Sequence, residues 1–168
     1  MRFLPSLLAV VFAAGCGKEI GDACIVSSDC DPAGQRQCDT SQKEGYCTIQ
    51  GCDYDTCPSE GECVRFFTGQ FNNKTCNPMT EDVTTDDCSL DELCALTGHC
   101  VARSSEVRYC MRTCSTNGDC RDGYECRKLT QAGSNDATFE KHGGEPVLAP
   151  GVFVSDTTPG FCATKPAS

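Results

Sequence analysis

The 168-residue chain has no tryptophan and only two histidines, His99 and His142. Large apolar side chains are scarce as well. From Cys16 onward, Leu, Ile, Val and Phe make up about 14% of the residues, below the roughly 20% under which a highly charged chain is expected to stay disordered. So few of them cannot offset backbone ordering at about 1–2 kcal/mol per residue. No apolar run approaches the roughly 20 residues of a membrane-spanning helix. There is no C-x2-C pair, which removes the usual zinc frameworks and a thioredoxin-like redox centre. G-x-S-x-G, H-E-x-x-H and glycine-rich phosphate loops are absent too. These absences lead to the expectation of a chain that is not an enzyme and carries no cofactor or metal.

What is abundant is cysteine, 17 residues or about 10% of the chain, the level of a disulfide scaffold. Each bridge typically contributes about 2–4 kcal/mol by restricting the unfolded chain, so covalent links replace the missing apolar core. Disulfides at this density require an oxidising compartment. The formal charge is −10, or −11 without Arg2, with no compensating basic patch. Nucleic acid and anionic lipid surfaces are therefore poor partners.

The N-terminus reads Met1-Arg2, an apolar run from Phe3 to Ala14, and Gly15. One positive charge, a short apolar stretch and small residues before a cut site make residues 1–15 a signal peptide. Ala13-Ala14-Gly15 suits ordinary cleavage. "AAGC" also resembles the bacterial lipobox, whose cysteine becomes the lipidated first residue of the mature chain; Ala13 stands where that motif usually has Leu. Parity favours the second processing, because setting Cys16 aside leaves 16 cysteines, enough for eight bridges. The polar "GKEIGDA" then reads as a tether over 16–23. The resemblance implies a diacylglyceryl thioether on Cys16, and more than one acyl chain anchors stably. Gly17 stands where an Asp would imply inner-membrane retention, which points to the outer membrane, periplasmic or cell-surface face.

The other cysteines fall into two octets: Cys24, Cys30, Cys38, Cys47, Cys52, Cys57, Cys63 and Cys76, then Cys88, Cys94, Cys100, Cys110, Cys114, Cys120, Cys126 and Cys162. "GYCTIQGCDYDTCPSEGECVRF" aligns with "VRYCMRTCSTNGDCRDGYECRKL", and Tyr46 and Tyr109 each precede the fourth cysteine of their octet. This suggests an internal duplication: module 1 over 24–76, a polar acidic linker over 77–87, module 2 over 88–162 and a tail over 163–168. The expected class is a small disulfide-rich fold, two tandem eight-cysteine modules of loops and short β-hairpins. Each module should end in a hairpin, with β-prone runs at 64–67 and 127–129 returning to the eighth cysteine. Asn117-Gly118 and Asp122-Gly123 are hairpin-turn signals. "SLDELCAL" suggests a short helix capped by Ser89. Residues 130–151 read as a flexible insertion. Eight cysteines in one module allow 105 pairings, so connectivity stays open.

The spacing, with phrases such as "YCMRTCSTNGDCRDGYECR", resembles cysteine-rich lipoproteins of myxobacterial type, whose repeats are likened to the Dickkopf N-terminal cysteine-rich region. The resemblance implies a membrane-anchored interaction or structural module of the envelope with an unknown protein partner, and brings no catalytic residues. A secreted inhibitor or ligand presenting 130–151 is the alternative. A calcium-dependent adhesion module is another, since Asp53 and Asp55, Glu81, Asp82, Asp86 and Asp87, and Asp119 and Asp122 gather hard oxygen ligands. The densest apolar cluster is Phe66, Phe67 and Phe71; alternation puts Phe66 opposite the other two, so one face should be exposed.

Overall fold

The computed structural model of the chain describes residues 17–69, 72–80, 87–128, 144–149, 151–152, 154–155 and 157–165. The leader and Cys16, Phe71, Glu81, Asp82, Asp86 and His142 lie outside them. A four-residue helix, α1 (Ser27–Cys30), is followed by β1 (Gln37–Asp39), β2 (Tyr46–Thr48) and β3 (Gly61–Phe67). Next come β4 (Glu92–Cys94), β5 (Cys100–Ala102), β6 (Glu106–Cys114), β7 (Tyr124–Arg127), β8 (Gly144–Pro146) and β9 (Gly160–Thr164). β1 pairs with β2 and β4 with β5, while the others form a sheet in the order β7-β9-β6-β3-β8. All ladders are antiparallel. The protein is a small disulfide-rich fold of short strands and loops.

The cysteines obey one local rule, applied four times. In the first quartet Cys24 bonds Cys38 and Cys30 bonds Cys47, and Cys38 faces Cys47 across the β1–β2 ladder. In the second, Cys52 bonds Cys63 and Cys57 bonds Cys110, with Cys63 opposite Cys110 across β3–β6. In the third, Cys76 bonds Cys94 and Cys88 bonds Cys100, and Cys94 faces Cys100 across β4–β5. In the fourth, Cys114 bonds Cys126 and Cys120 bonds Cys162, with Cys126 opposite Cys162 across β7–β9. Directly opposed residues of an antiparallel pair point to the same face. The ladder therefore delivers the third and fourth sulfurs side by side, and the loop before it supplies the first and second. Each quartet is a β-pair stapled first-to-third and second-to-fourth.

The two octets are accordingly not two separate folding units. Cys57–Cys110 and Cys76–Cys94 each join a cysteine of the first octet to one of the second. The expected hairpin from β3 back toward Cys76 does not form either; β3 lies between β6 and β8. The sequence alignment of the octets nevertheless has a physical basis in its middle. Cys47 and Cys110 are both fourth members of a quartet, and Cys52, Cys57 and Cys63 correspond to Cys114, Cys120 and Cys126 as first, second and third. The correspondence ends at Cys76 and Cys162, a first and a fourth member.

Further expectations meet corrections. Glu92–Cys94, read as part of a helix, is strand β4, because Cys94 must face Cys100; only the turn joining Glu92 N–H to the Ser89 carbonyl remains (2.9 Å for the reciprocal Ser89 N–H to Glu92 Oε2, 2.8 Å for the turn). Gly144–Pro146, placed in a flexible insertion, is edge strand β8, with Glu145 fully buried. Residues 17–23 are not a free tether. Ile20 is fully buried and packs in the main core with Tyr46, Val64, Met111, Tyr124 and Phe161. The Gly21 N–H donates to the Cys47 carbonyl (2.9 Å). Gly21 has φ +93°, and a Cβ there would sit 2.9 Å from Arg112 Cβ, so only glycine fits.

Candidate functional site

Among the described residues, a cleft of about 340 Å³ lies where the 19–22 strap, β2, β6 and the loop before β7 meet. Tyr46 precedes the fourth cysteine of the first quartet and Tyr124 starts β7. Their rings lie 5.5 Å apart between centroids, tilted by 34°. The Arg121 guanidinium covers Tyr124 at 4.2 Å and Tyr46 at 5.7 Å, as cation–π attraction favours. Gly123, with φ +84°, makes the turn that brings Arg121 and Tyr124 to one side, so the Asp122-Gly123 turn signal is realised. Asn117-Gly118 instead sits in a 3-10 turn over Asn117–Asp119.

Most polar groups of the cleft bond backbone carbonyls or a neighbouring side chain, while Arg121 Nε and Nη1 are buried without a hydrogen-bond partner. Tyr46 Oη accepts from the Arg112 N–H (2.9 Å) and donates to the Cys162 carbonyl (3.3 Å). Tyr124 Oη donates to the Lys43 carbonyl (2.9 Å). Burial pushes both phenols above their ordinary pKa, so each stays protonated and serves as a packing group with a hydrogen-bonding tip. Arg112 pairs with Glu19 (2.8 Å), and that hydrogen bond holds the guanidinium protonated. Arg121 Nη2 donates to the carbonyls of Lys43 (2.9 Å) and Gly45. The described histidine, His99, does not line the cleft. The arrangement locks three cysteine quartets together, and its phenols and guanidiniums are placed to hold backbone carbonyls.

A second polar cluster joins the sheet to the third quartet. Glu145 on β8 pairs with Arg65 on β3, and its Oε2 accepts the Leu96 N–H (2.7 Å) from the β4–β5 turn. Burial pushes this carboxyl up, against the pull of Arg65 and the Leu96 N–H. Glu62, also on β3, is pushed up to about 8 by burial, and its Oε1 has no hydrogen-bond partner. Neither cluster was legible beforehand, since both glutamates stand in polar-looking contexts ("EGECV" and "GGEPV").

All sixteen cysteines expected in bridges are bonded. Among the described residues, the groups of three ligand-type side chains within reach of one another consist of these bridged sulfurs, with Glu92 beside Cys88 and Cys100 in one of them. A sulfur committed to a disulfide is not a thiolate ligand. The carboxylates considered for calcium are dispersed among the described residues. Asp53 pairs with Arg108 (2.8 Å). Asp119 accepts the N–H groups of Ser115 and Thr116 (2.8 Å each), which hold its carboxyl below the usual range. The expected exposed aromatic face is not seen at Phe66 and Phe67, because both sides of β3 are used. Phe66 packs on Tyr109 and Phe161 at 6.3 and 6.1 Å between centroids, and Phe67 packs against Leu93, Ala95 and Val101. No protein-family profile, curated protein or solved structure matches the chain.

Proposed function

We propose that this chain is a bacterial lipoprotein, exported by residues 1–15, acylated on Cys16 and held on the outer membrane as a non-enzymatic, cysteine-rich structural or protein-interaction module. One observation carries the reading: the eight bridges use all of the other sixteen cysteines. Cys16 is thus the one cysteine left without another cysteine to pair with in the chain, and it stands in the "AAGC" context. A scaffold that spends these sulfurs on internal bonds suits a role in presenting surfaces. The secreted alternative has less to present, because Gly144–Pro146 belongs to the sheet.

The intact mass of protein extracted from membranes, before and after reduction and alkylation, tests the proposal. A chain beginning at an acylated Cys16, with 16 alkylated sulfurs appearing only after reduction, is the expected result. A chain beginning elsewhere, or with an unacylated Cys16, overturns it and favours secretion.

A further inference from the structure

Lipid attachment usually comes with a flexible spacer, and here the described chain leaves no room for one. Gly17 lies against the Cys30 carbonyl so closely that an added Cβ would sit 3.0 Å away. The Lys18 carbonyl accepts a hydrogen bond from Arg36, and Lys18 Nζ donates to the Ala23 carbonyl (2.7 Å). Two residues later Ile20 enters the core. Consecutive Cα atoms are only about 3.8 Å apart, so acyl chains on Cys16 would draw this end of the folded protein directly to the headgroups.

That end carries an apolar pair. Ile25 and Val26 are 82% and 52% exposed. They immediately precede α1, whose far end, Cys30, is the residue Gly17 abuts. Four helical residues advance about 6 Å, so the pair lies on the order of 10 Å from Gly17. It is also rigid. Both N–H groups donate to Asp29 Oδ2 (2.8 and 3.1 Å), and Cys24–Cys38 and Cys30–Cys47 clamp either side. Satisfied backbone donors lower the cost of leaving water. Backbone N–H groups and, beyond them, Lys18 favour the Asp29 carboxylate, and backbone N–H groups and Arg36 favour that of Asp31. Exposed Tyr54, Met79, Leu90 and Val152 are scattered singly through other loops, which needs no special explanation.

We propose that the end of the first quartet bearing Gly17, Lys18, Ile25 and Val26 is a membrane-docking face, with the Ile25 and Val26 side chains entering the interfacial layer of a zwitterionic bilayer. The proposal rests on acylation of Cys16. It gives the protein a fixed orientation, with the first quartet toward lipid and the remainder projecting into the aqueous phase.

The absence of tryptophan makes the test clean. I25W, V26W and, as a control, L90W (Leu90 is 95% exposed on the third quartet) are each expressed with the full leader and purified from membranes. Intact mass verifies acylation and sixteen bridged cysteines. The proteins are then placed in phosphatidylcholine vesicles with acyl chains brominated near the headgroup. I25W and V26W should be blue-shifted and quenched roughly twofold or more, as for side chains at the headgroup boundary, while L90W keeps its aqueous emission. Acylated I25W and V26W that are unquenched, or quenched no more than L90W, overturn the docking face and leave the lipoprotein reading intact. If I25W loses its bridges, V26W decides alone, and if V26W does too, the pair is structural and the docking face is wrong. Unacylated protein overturns both proposals.

Discussion

The first and third cysteine quartets close on themselves, whereas the second and fourth close only through a strand that arrives from far along the chain. In the first, the bridges span 14 and 17 residues, and in the third 18 and 12. In the second and fourth, one bridge is as short, at 11 and 12, but the other spans 53 and 42. The interiors differ in step. The first and third quartets surround buried clusters of cysteine, to which the third adds a small apolar cluster of Leu93, Ala95 and Val101. The second and fourth share the apolar core of Ile20, Tyr46, Val64, Met111, Tyr124 and Phe161. A short loop costs little to close, so sulfur packing and a three-residue ladder suffice. A long closure costs more, and there an aromatic and aliphatic core adds to the bridges in holding the strands in register. The larger apolar cluster lies where closure is non-local.

The sharpest way to break this contrast is to remove one bridge of each kind. Replacing Cys57 and Cys110 with Ser together removes a long-loop bridge and should cost about 4 kcal/mol; replacing Cys88 and Cys100 removes a short one and should cost about 3 kcal/mol. The distribution matters more than the difference. The first pair should lower the thermal midpoint of the whole five-stranded sheet, and the second should increase hydrogen exchange only around β4 and β5. Loss of protection confined to the same residues in both variants would show that the quartets are not differently built.

Glu145 couples the two kinds of region, since it joins Arg65 of the sheet to Leu96 of the third quartet. Glu145→Ala strands a half-buried guanidinium and should cost about 3 kcal/mol, with faster exchange at Leu96 and along β8. Glu145→Gln keeps an acceptor for Leu96 and should preserve protection there while destabilising β8. Equal loss in both variants would assign the coupling to charge alone.

Glu62 supplies a smaller, pH-dependent effect within the sheet. Its folded pKa is raised to about 8 from an ordinary 4.5. A raised pKa means the native state holds the proton more tightly, so this contribution is complete below 4.5 and is lost as pH rises toward about 8. About 2 kcal/mol should go between pH 4.5 and about 6, with a further decline above that. Glu62→Gln should flatten that slope in denaturant titrations at several pH values. An unchanged slope would place the titration on another group.

Several elements were readable in advance, for local reasons. Cysteine density and apolar scarcity announce a stapled fold. β3 falls on the β-prone run at 64–67. The turn before β7 falls on Asp122-Gly123, where the positive φ asks for glycine. Others were not. Ile20 stands alone among polar and glycine residues, with no periodicity to mark it as core. β8 is three residues long and owes its place to the Arg65–Glu145 pair and the β3 edge. Ser89 and Glu92 form the turn a helix start would use, but the ladder between Cys94 and Cys100 overrides it.

The sequence by itself determined the class of the fold, the oxidising surroundings it requires, and the parity that isolates Cys16, because composition and count are properties of the chain alone. Only the tertiary structure decided which sulfurs bond, that the first and second octets interlock through Cys57–Cys110 and Cys76–Cys94, and that the strap after Cys16 is packed. Those outcomes depend on which strands lie opposite one another. Strand register across long separations is set by the shared core, which no local stretch of sequence contains.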